Sequence, residues 1–192
     1  MTPLGLAAAF AVLLVFVVLA FLVIATYNAV VALQNRIGKA WANIEVALQQ
    51  RHDELPNVVS AVRGVMGFER DLLDRVTRLR AAYSPTDPIP QQAAISQATS
   101  SALRQLFAVV ERYPEVRSAS NVAELQEEIE RLENVISDRR ELYNDQVYRY
   151  NTRIAQVPAS LLVGLFDWQA RPFFDAEDAA DVAPDVSLST GT

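Results

Sequence analysis

Cysteine is absent from this 192-residue chain, and histidine (His52) and lysine (Lys39) occur once each. Without cysteine there is no disulfide, thiolate metal site or cysteine nucleophile, and the redox compartment stays open. With a single imidazole, nucleophile–base arrangements are nearly excluded, apart from a serine–lysine pair that would have to use Lys39. A ferritin-like di-iron bundle needs Glu-x-x-His pairs, and the sequence has none. His52 itself lies in the polar run Arg51-His52-Asp53-Glu54, where it reads as a solvated or lightly hydrogen-bonded side chain. There is no glycine-rich phosphate loop, no Gly-x-Ser-x-Gly elbow and no kinase signature. No catalytic, cofactor or metal site is therefore expected. Basic residues number 17 against 23 acidic, and they form no concentrated basic face, so a nucleic-acid partner is not expected either. Glycine (6) and tryptophan (2) are scarce beside Ala, Leu, Val, Glu, Gln and Arg, which favours helices over strands.

What is present begins with Leu4 to Ala25, LGLAAAFAVLLVFVVLAFLVIA, and no charged side chain precedes Arg36. Twenty-two residues at about 1.5 Å rise make a helix of roughly 33 Å, enough for a hydrocarbon core of about 30 Å. A helix apolar on every face suits lipid and not a soluble surface. No basic n-region precedes it, and it exceeds the apolar core of a signal peptide, so a retained single-pass anchor over 1–26 is expected. Arg36 and Lys39 follow the span while Met1 to Pro3 has no basic residue, which places the C-terminal domain in the cytoplasm. Charge is graded along the chain. Residues 27–83 carry 8 basic and 6 acidic side chains, whereas residues 159–192 carry 1 and 6.

No break follows the span. Val30, Leu33, Ile37, Trp41, Ile44, Leu48 and Leu55 continue at steps of three and four in a heptad-like stripe, with Arg51 interrupting. Tyr27 stands where an interfacial aromatic is expected. Leu55-Pro56-Asn57 predicts a turn, because proline disfavours a helical residue before it. A second helix is then expected from Asn57 to about Tyr83, with Val59, Val62, Met66, Leu73, Val76, Leu79 and Tyr83 on one face, and with Gly64 and Gly67 inside it either at a close helix–helix approach or merely tolerated. Three prolines in Ser84 to Pro90 set a boundary, and a third helix runs from about Gln91 to Tyr113 with Ala94, Ala98, Ala102, Leu106 and Val109 inward. Ser120 or Asn121 can cap a fourth, longest helix, which ends before Pro158. Its stripe runs through Val122, Leu125, Ile129, Leu132, Ile136, Tyr143, Val147, Tyr150 and Ile154. Glu124, Glu127, Glu128, Glu130 and Glu133 fall between those positions and read as a solvated face, with Glu127–Arg131 an i,i+4 pair.

The expected fold is thus all-α, an N-terminal transmembrane helix continuing into an up-and-down antiparallel four-helix bundle of long helices over 27–158. Residues 159–174 form a short apolar and aromatic cluster, and the acidic tail 175–192 is expected to be disordered. In an up-down-up-down order helix four returns towards the bilayer. That brings Leu161, Leu162, Leu165, Phe166, Trp168, Phe173 and Phe174, with Tyr27, to the membrane surface. Two readings follow: an interfacial contact with lipid, or a cap on the open end of the bundle core, the cap being favoured.

Tyr27-Asn28, Leu33, Asn35-Arg36, Ala40-Trp41, Ile44-Glu45-Val46, Leu48, Arg51 and Leu55-Pro56-Asn57, with Val59, Val62 and Gly64, resemble the opening signature of the LemA family. Tyr143-Asn144, Val147, Tyr150-Asn151, Pro158, Leu165-Phe166 and Arg171-Pro172-Phe173-Phe174 agree with its second half. Departures are conservative: His52 where an aromatic is common, and Asp167-Trp168 where Gly-Phe is frequent. The resemblance implies a bacterial inner-membrane protein with one span and a long-helix bundle, and brings no catalytic residues. It also implies similarity to a magnetosome-membrane biogenesis protein and gene neighbours encoding TPM-domain membrane proteins. The function expected from residues and resemblance together is a membrane-anchored scaffold or adaptor. Its partners would be the lipid bilayer, an envelope membrane protein such as a TPM-domain protein, or a second copy in a homo-oligomer. A membrane-remodelling oligomer is the alternative, and a sensor or enzyme with a pocket between helices is the third reading.

Overall fold

A computed structural model describes residues 3–63, 70–114 and 120–175. Every regular element among them is helical. Four long elements appear in order: α1 (Pro3–Arg63), α2 (Arg70–Ala82), α3 (Ile89–Val110) and α4 (Ser120–Ala155). A 3-10 turn at Ala159–Leu161 and a single-turn helix α5 (Val163–Phe166) follow, after a cis Val157–Pro158 peptide. The expected positions of Gly64, Met66 and Gly67 and of the tail beyond Asp175 lie outside the described residues.

Helix α1 is unbroken for 61 residues. Its first part is the apolar run, where every described side chain from Gly5 to Ala25 except Val23 is exposed. Phe10, Phe16 and Phe21 are each about two-thirds exposed, the reverse of what a core helix shows. The helix is long and apolar enough to cross a membrane. Burial begins at Thr26 and then recurs at Val30, Ile37, Ala40, Ile44, Ala47 and Leu48. One-sided burial at helical spacing marks the change from an all-round apolar helix to an amphipathic one.

The expected turn at Leu55-Pro56-Asn57 is not there: α1 carries Pro56 in its interior and is helical through Arg63. The reason lies in the apolar register. Leu55, Val58, Val59 and Val62 are buried at spacings that cross Pro56 without a phase break. A proline inside a helix costs on the order of 3 kcal/mol, and four buried aliphatic side chains at about 1.5–3 kcal/mol each outweigh it. Consequently α2 is a separate helix and not the continuation of one begun at Asn57.

The chain clusters into two compact units, one from Met1–Ala40 and Asp145–Arg171, the other from Trp41–Asn144 and Pro172–Thr192. In the second unit the later part of α1, α2, α3 and the earlier part of α4 pack as an up-and-down bundle. His52 meets Tyr83 while Val59 and Arg63 lie near Val76, so α1 and α2 are antiparallel. Arg51 meets Glu133 and Trp41 meets Tyr143, so α1 and α4 are antiparallel too. The core of this unit joins Leu55, Val58, Val59 and Val62 to Leu73 and Val76, to Leu103, Leu106 and Val110, and to Val122 and Ile129. The expected α4 stripe is buried at Val122, Ile129, Leu132, Ile136, Tyr143, Val147, Tyr150 and Ile154. Helix α3 is rotated from its expected face. Ala94 and Ala98 are half-buried, while Gln92, Ser96 and Thr99 are buried beside Ala102 and Leu106.

Pro56→Ala restores the N–H that bonds the His52 carbonyl in a continuous helix, and is expected to raise stability by about 1–3 kcal/mol. Denaturant unfolding of the detergent-solubilised chain reads this as a higher midpoint. A turn at Pro56 would make the same substitution destabilising.

Candidate functional site

Two places concentrate the chain's non-routine side chains. The first, in the bundle unit, is a buried charge. Arg51, which interrupts the α1 stripe, is only 4% exposed. Its Nη1 donates to Glu133 Oε1 at 2.7 Å and to Ser100 Oγ at 2.9 Å, and its Nη2 donates to Ser96 Oγ at 2.9 Å. Ser100 Oγ in turn donates to the second carboxylate oxygen of Glu133 at 2.6 Å. Three helices are thereby joined through one guanidinium, whose fork is matched by acceptors from α3 and α4. Ser96 and Ser100 of α3 are turned inward as partners of Arg51, and a buried cation without them costs several kcal/mol.

Glu133 therefore does not belong to the solvated face expected for the α4 carboxylates. Packing against α1 and α3 turns it inward, and its side chain keeps 29% exposure at the edge of a cleft of about 390 Å³. Ser96, Ser100, Arg104, Asn134, Ser137 and Arg140 line that cleft. Elsewhere on α4, Arg131 pairs with Glu128 rather than Glu127. Chemically the cluster is closed on itself. The carboxylate that accepts from Ser100 is held by Arg51, and each hydroxyl is engaged with a neighbour.

His52, next to Arg51, is also not the solvated side chain expected. Its ring packs on Tyr83 with centroids 5.3 Å apart, and its Nδ1 is buried without a hydrogen-bond partner. Burial lowers its pKa and the nearby Arg80 guanidinium lowers it further, against a smaller opposing effect of Asp53. Its position against Tyr83 rationalises why an aromatic suits this site.

The second place is the end of the span, in the other unit. Tyr27 packs on Phe166 with ring centroids 5.0 Å apart and on Trp168 at 6.3 Å, and Phe166 stacks on Trp168 at 5.1 Å. The tight reversal into Trp168 uses Asp167 at φ 50°, and α5 is capped there by the Trp168 N–H donating to the Val163 carbonyl at 3.2 Å. Aspartate is among the residues that adopt this left-handed cap, where glycine is usual. Asn151 holds the backbone of Arg171 from both sides, accepting from its N–H at 2.9 Å and donating to its carbonyl at 3.0 Å. Tyr150, fully buried, accepts from Gln34 Nε2 at 3.3 Å.

The eight residues expected at a membrane interface are distributed as follows. Trp168 is buried, Phe166 and Leu162 are half-buried, Tyr27 is 41% exposed, and Leu161 and Leu165 are more than 70% exposed. Phe173 and Phe174 belong to the bundle unit, where Phe174 is buried against Trp41 with ring centroids 5.7 Å apart. There its N–H donates to Asn144 Oδ1 at 2.8 Å, and the Tyr143 hydroxyl donates to the Pro172 carbonyl at 3.0 Å. The Arg51 cluster escaped sequence reasoning. The polar spacing Gln92, Ser96, Thr99 and Ser100 on an otherwise alanine-rich helix was the signal for it.

The sequence model of the LemA family matches residues 40–188. Among curated proteins, magnetosome proteins MamQ 1 and MamQ 2 of Paramagnetospirillum magneticum are each 23% identical over 181 aligned positions, covering 81% of this chain and 66% of theirs. Magnetosome protein MamQ of Magnetospirillum gryphiswaldense is 22% identical with the same coverages. The chain thus spans just under two thirds of the length of these relatives.

Removing Glu133 leaves a guanidinium that is 4% exposed without its carboxylate, whereas removing Arg51 leaves a carboxylate that still reaches water. Glu133→Ala is therefore expected to cost about 3–5 kcal/mol, and Arg51→Met only about 1–2 kcal/mol, in denaturant unfolding. Because the folded pKa of His52 is depressed, the unfolded chain binds the proton more readily. Stability attributable to this residue is intact above the unfolded value of about 6.5 and is lost as pH falls through the lower folded value. His52→Phe should therefore gain stability relative to the native chain on acidification from about pH 7 to pH 5.

Proposed function

The chain belongs to the LemA family, and from that premise we propose that it is a non-enzymatic, membrane-anchored helical scaffold of the bacterial cell envelope. It acts through protein–protein contacts of its bundle, either with an envelope membrane protein or with further copies of itself. The observation that carries this reading is α1. One helix carries an exposed apolar run of span length and then, without interruption, the buried stripe of the bundle. Such a helix couples a membrane position to a protein surface through a single helical element. A polar cluster in which both terminal guanidinium nitrogens of Arg51 are engaged by protein acceptors suits a rigid bundle better than a reacting site.

The bilayer in this reading is the inner membrane, with the bundle on the cytoplasmic side. Arg36 and Lys39, the first charges after the span, support that side under the positive-inside rule. A TPM-domain membrane protein is the candidate partner that family resemblance brings forward. The MamQ relatives are magnetosome proteins by name, which supports a role in organising a membrane compartment.

Photo-crosslinking of the tagged full-length chain in intact membranes, followed by mass spectrometry, tests the proposal. The expected outcome is either one recurrent membrane-protein partner or a ladder of self-crosslinks. A chain that yields neither across crosslinker positions on all four bundle helices would overturn the scaffold reading.

A further inference from the structure

We propose that the segment after α4 makes a second contact with the bilayer, through Val157, Leu161 and Leu165 seated in the headgroup region of the same leaflet that the span leaves. Three aliphatic side chains at intervals of four residues are each more than 70% exposed, in a unit that has buried its larger aromatic Trp168. Isolated exposed leucines need no explanation, but three such aliphatic side chains within nine residues, on a segment attached to the end of a membrane span, do.

The position follows from contacts within one unit. Tyr27 lies two residues past the apolar run, about 3 Å farther along the helix axis. Its ring holds Phe166 at 5.0 Å and Trp168 at 6.3 Å, which fixes the 159–166 turns beside the point where α1 emerges from lipid. Leu165 immediately precedes Phe166, and Leu161 ends the 3-10 turn. The buried aromatics are thus the mount, and the exposed aliphatics are the surface that the mount presents. Water would meet those side chains if the span ended elsewhere, and the adjoining apolar run makes lipid their neighbour.

Charge supports the same occupant. This unit carries five basic side chains (Arg36, Lys39, Arg149, Arg153 and Arg171) against two acidic ones (Asp145 and Asp167), a net charge of +3. The whole chain is −6, so the remaining residues sum to −9. The positive unit is the one that carries the span, as an anionic headgroup layer requires.

The inference rests on the anchoring proposed above, and the absence of native cysteine gives it a clean test. L161C, L165C and Y148C, the last an exposed position of the same unit away from the turns, are spin-labelled on the full chain. Each is reconstituted into vesicles of phosphatidylcholine with or without phosphatidylglycerol. At 161 and 165 the label is expected to collide with a water-soluble nickel chelate several-fold less than at 148, and with oxygen more. The protection should increase when phosphatidylglycerol is present. Chelate access equal to that at 148 would overturn the contact. Protection accompanied by spin–spin broadening that vanishes on dilution with unlabelled chain would also overturn it, by naming a second copy as the occupant. Failure of the unlabelled chain to float with vesicles would instead strike the anchor itself, and this contact with it.

Discussion

Everything in this chain depends on one helix changing its solvent. Up to Ala25 the side chains of α1 point outward on all sides, and at Thr26 the first of them is buried. A helix cannot rotate one part of itself independently of the next, so the direction in which the apolar stripe emerges is inherited through every later turn. The other helices must find that stripe. They do so with matching periodicity: Ile44 and Leu48 on α1, and Leu132, Ile136 and Tyr143 on α4, are buried in the same bundle unit. The constraint also explains the tolerance of Pro56. Ending α1 at the proline would have freed Val58, Val59 and Val62 from the register that buries them.

A long apolar stripe brings its own problem, since heptad-like seams can slip by one repeat at little cost. Arg51 supplies the register. Its guanidinium has acceptors at one height only, Ser96 and Ser100 on α3 and Glu133 on α4. A slip of one heptad would replace Ser96, Ser100 and Glu133 by positions such as Leu103, Ala93 and Gln126 or Arg140, leaving the charge without a carboxylate at a cost of several kcal/mol. The buried ion pair is thus better understood as a device for alignment than as a source of net stability.

These features are unequally legible in the sequence. The span, the α4 stripe and the boundary at Ser84 to Pro90 are visible because each is a property of consecutive residues: an uncharged run, a period of 3.6, a cluster of prolines. The continuation of α1 through Pro56 is not visible. A local preference of one residue is set there against packing contributed by partners far away in sequence. Arg51 and Glu133 mislead for the same reason. Eighty-two positions separate them, and each alone resembles an ordinary helical surface charge. Seven of the eight candidate interface residues form one apolar cluster in sequence, yet their burial ranges from Trp168 and Phe174, both inside, to Leu161 and Leu165, both outside. Composition shows that such side chains are present, and only the fold decides which of them are used up.

The motif residues of the family bear on where function can reside. Tyr143-Asn144 and Tyr150-Asn151 are spaced by one heptad on α4, and each asparagine binds backbone of the segment that follows the helix. Tyr143 adds a bond to Pro172, and Trp41 receives Phe174. Asparagine suits this task because its amide offers a donor and an acceptor in one plane, as a peptide group does. These residues of the resemblance are therefore occupied in fastening the chain to itself. A family recognised by its fastenings shares an architecture, and chemistry need not come with it. In this chain the surfaces left over by the fastenings are the outer faces of the bundle, the cleft beside Glu133, and the exposed Leu161 and Leu165 beside the aromatic group of Tyr27, Phe166 and Trp168.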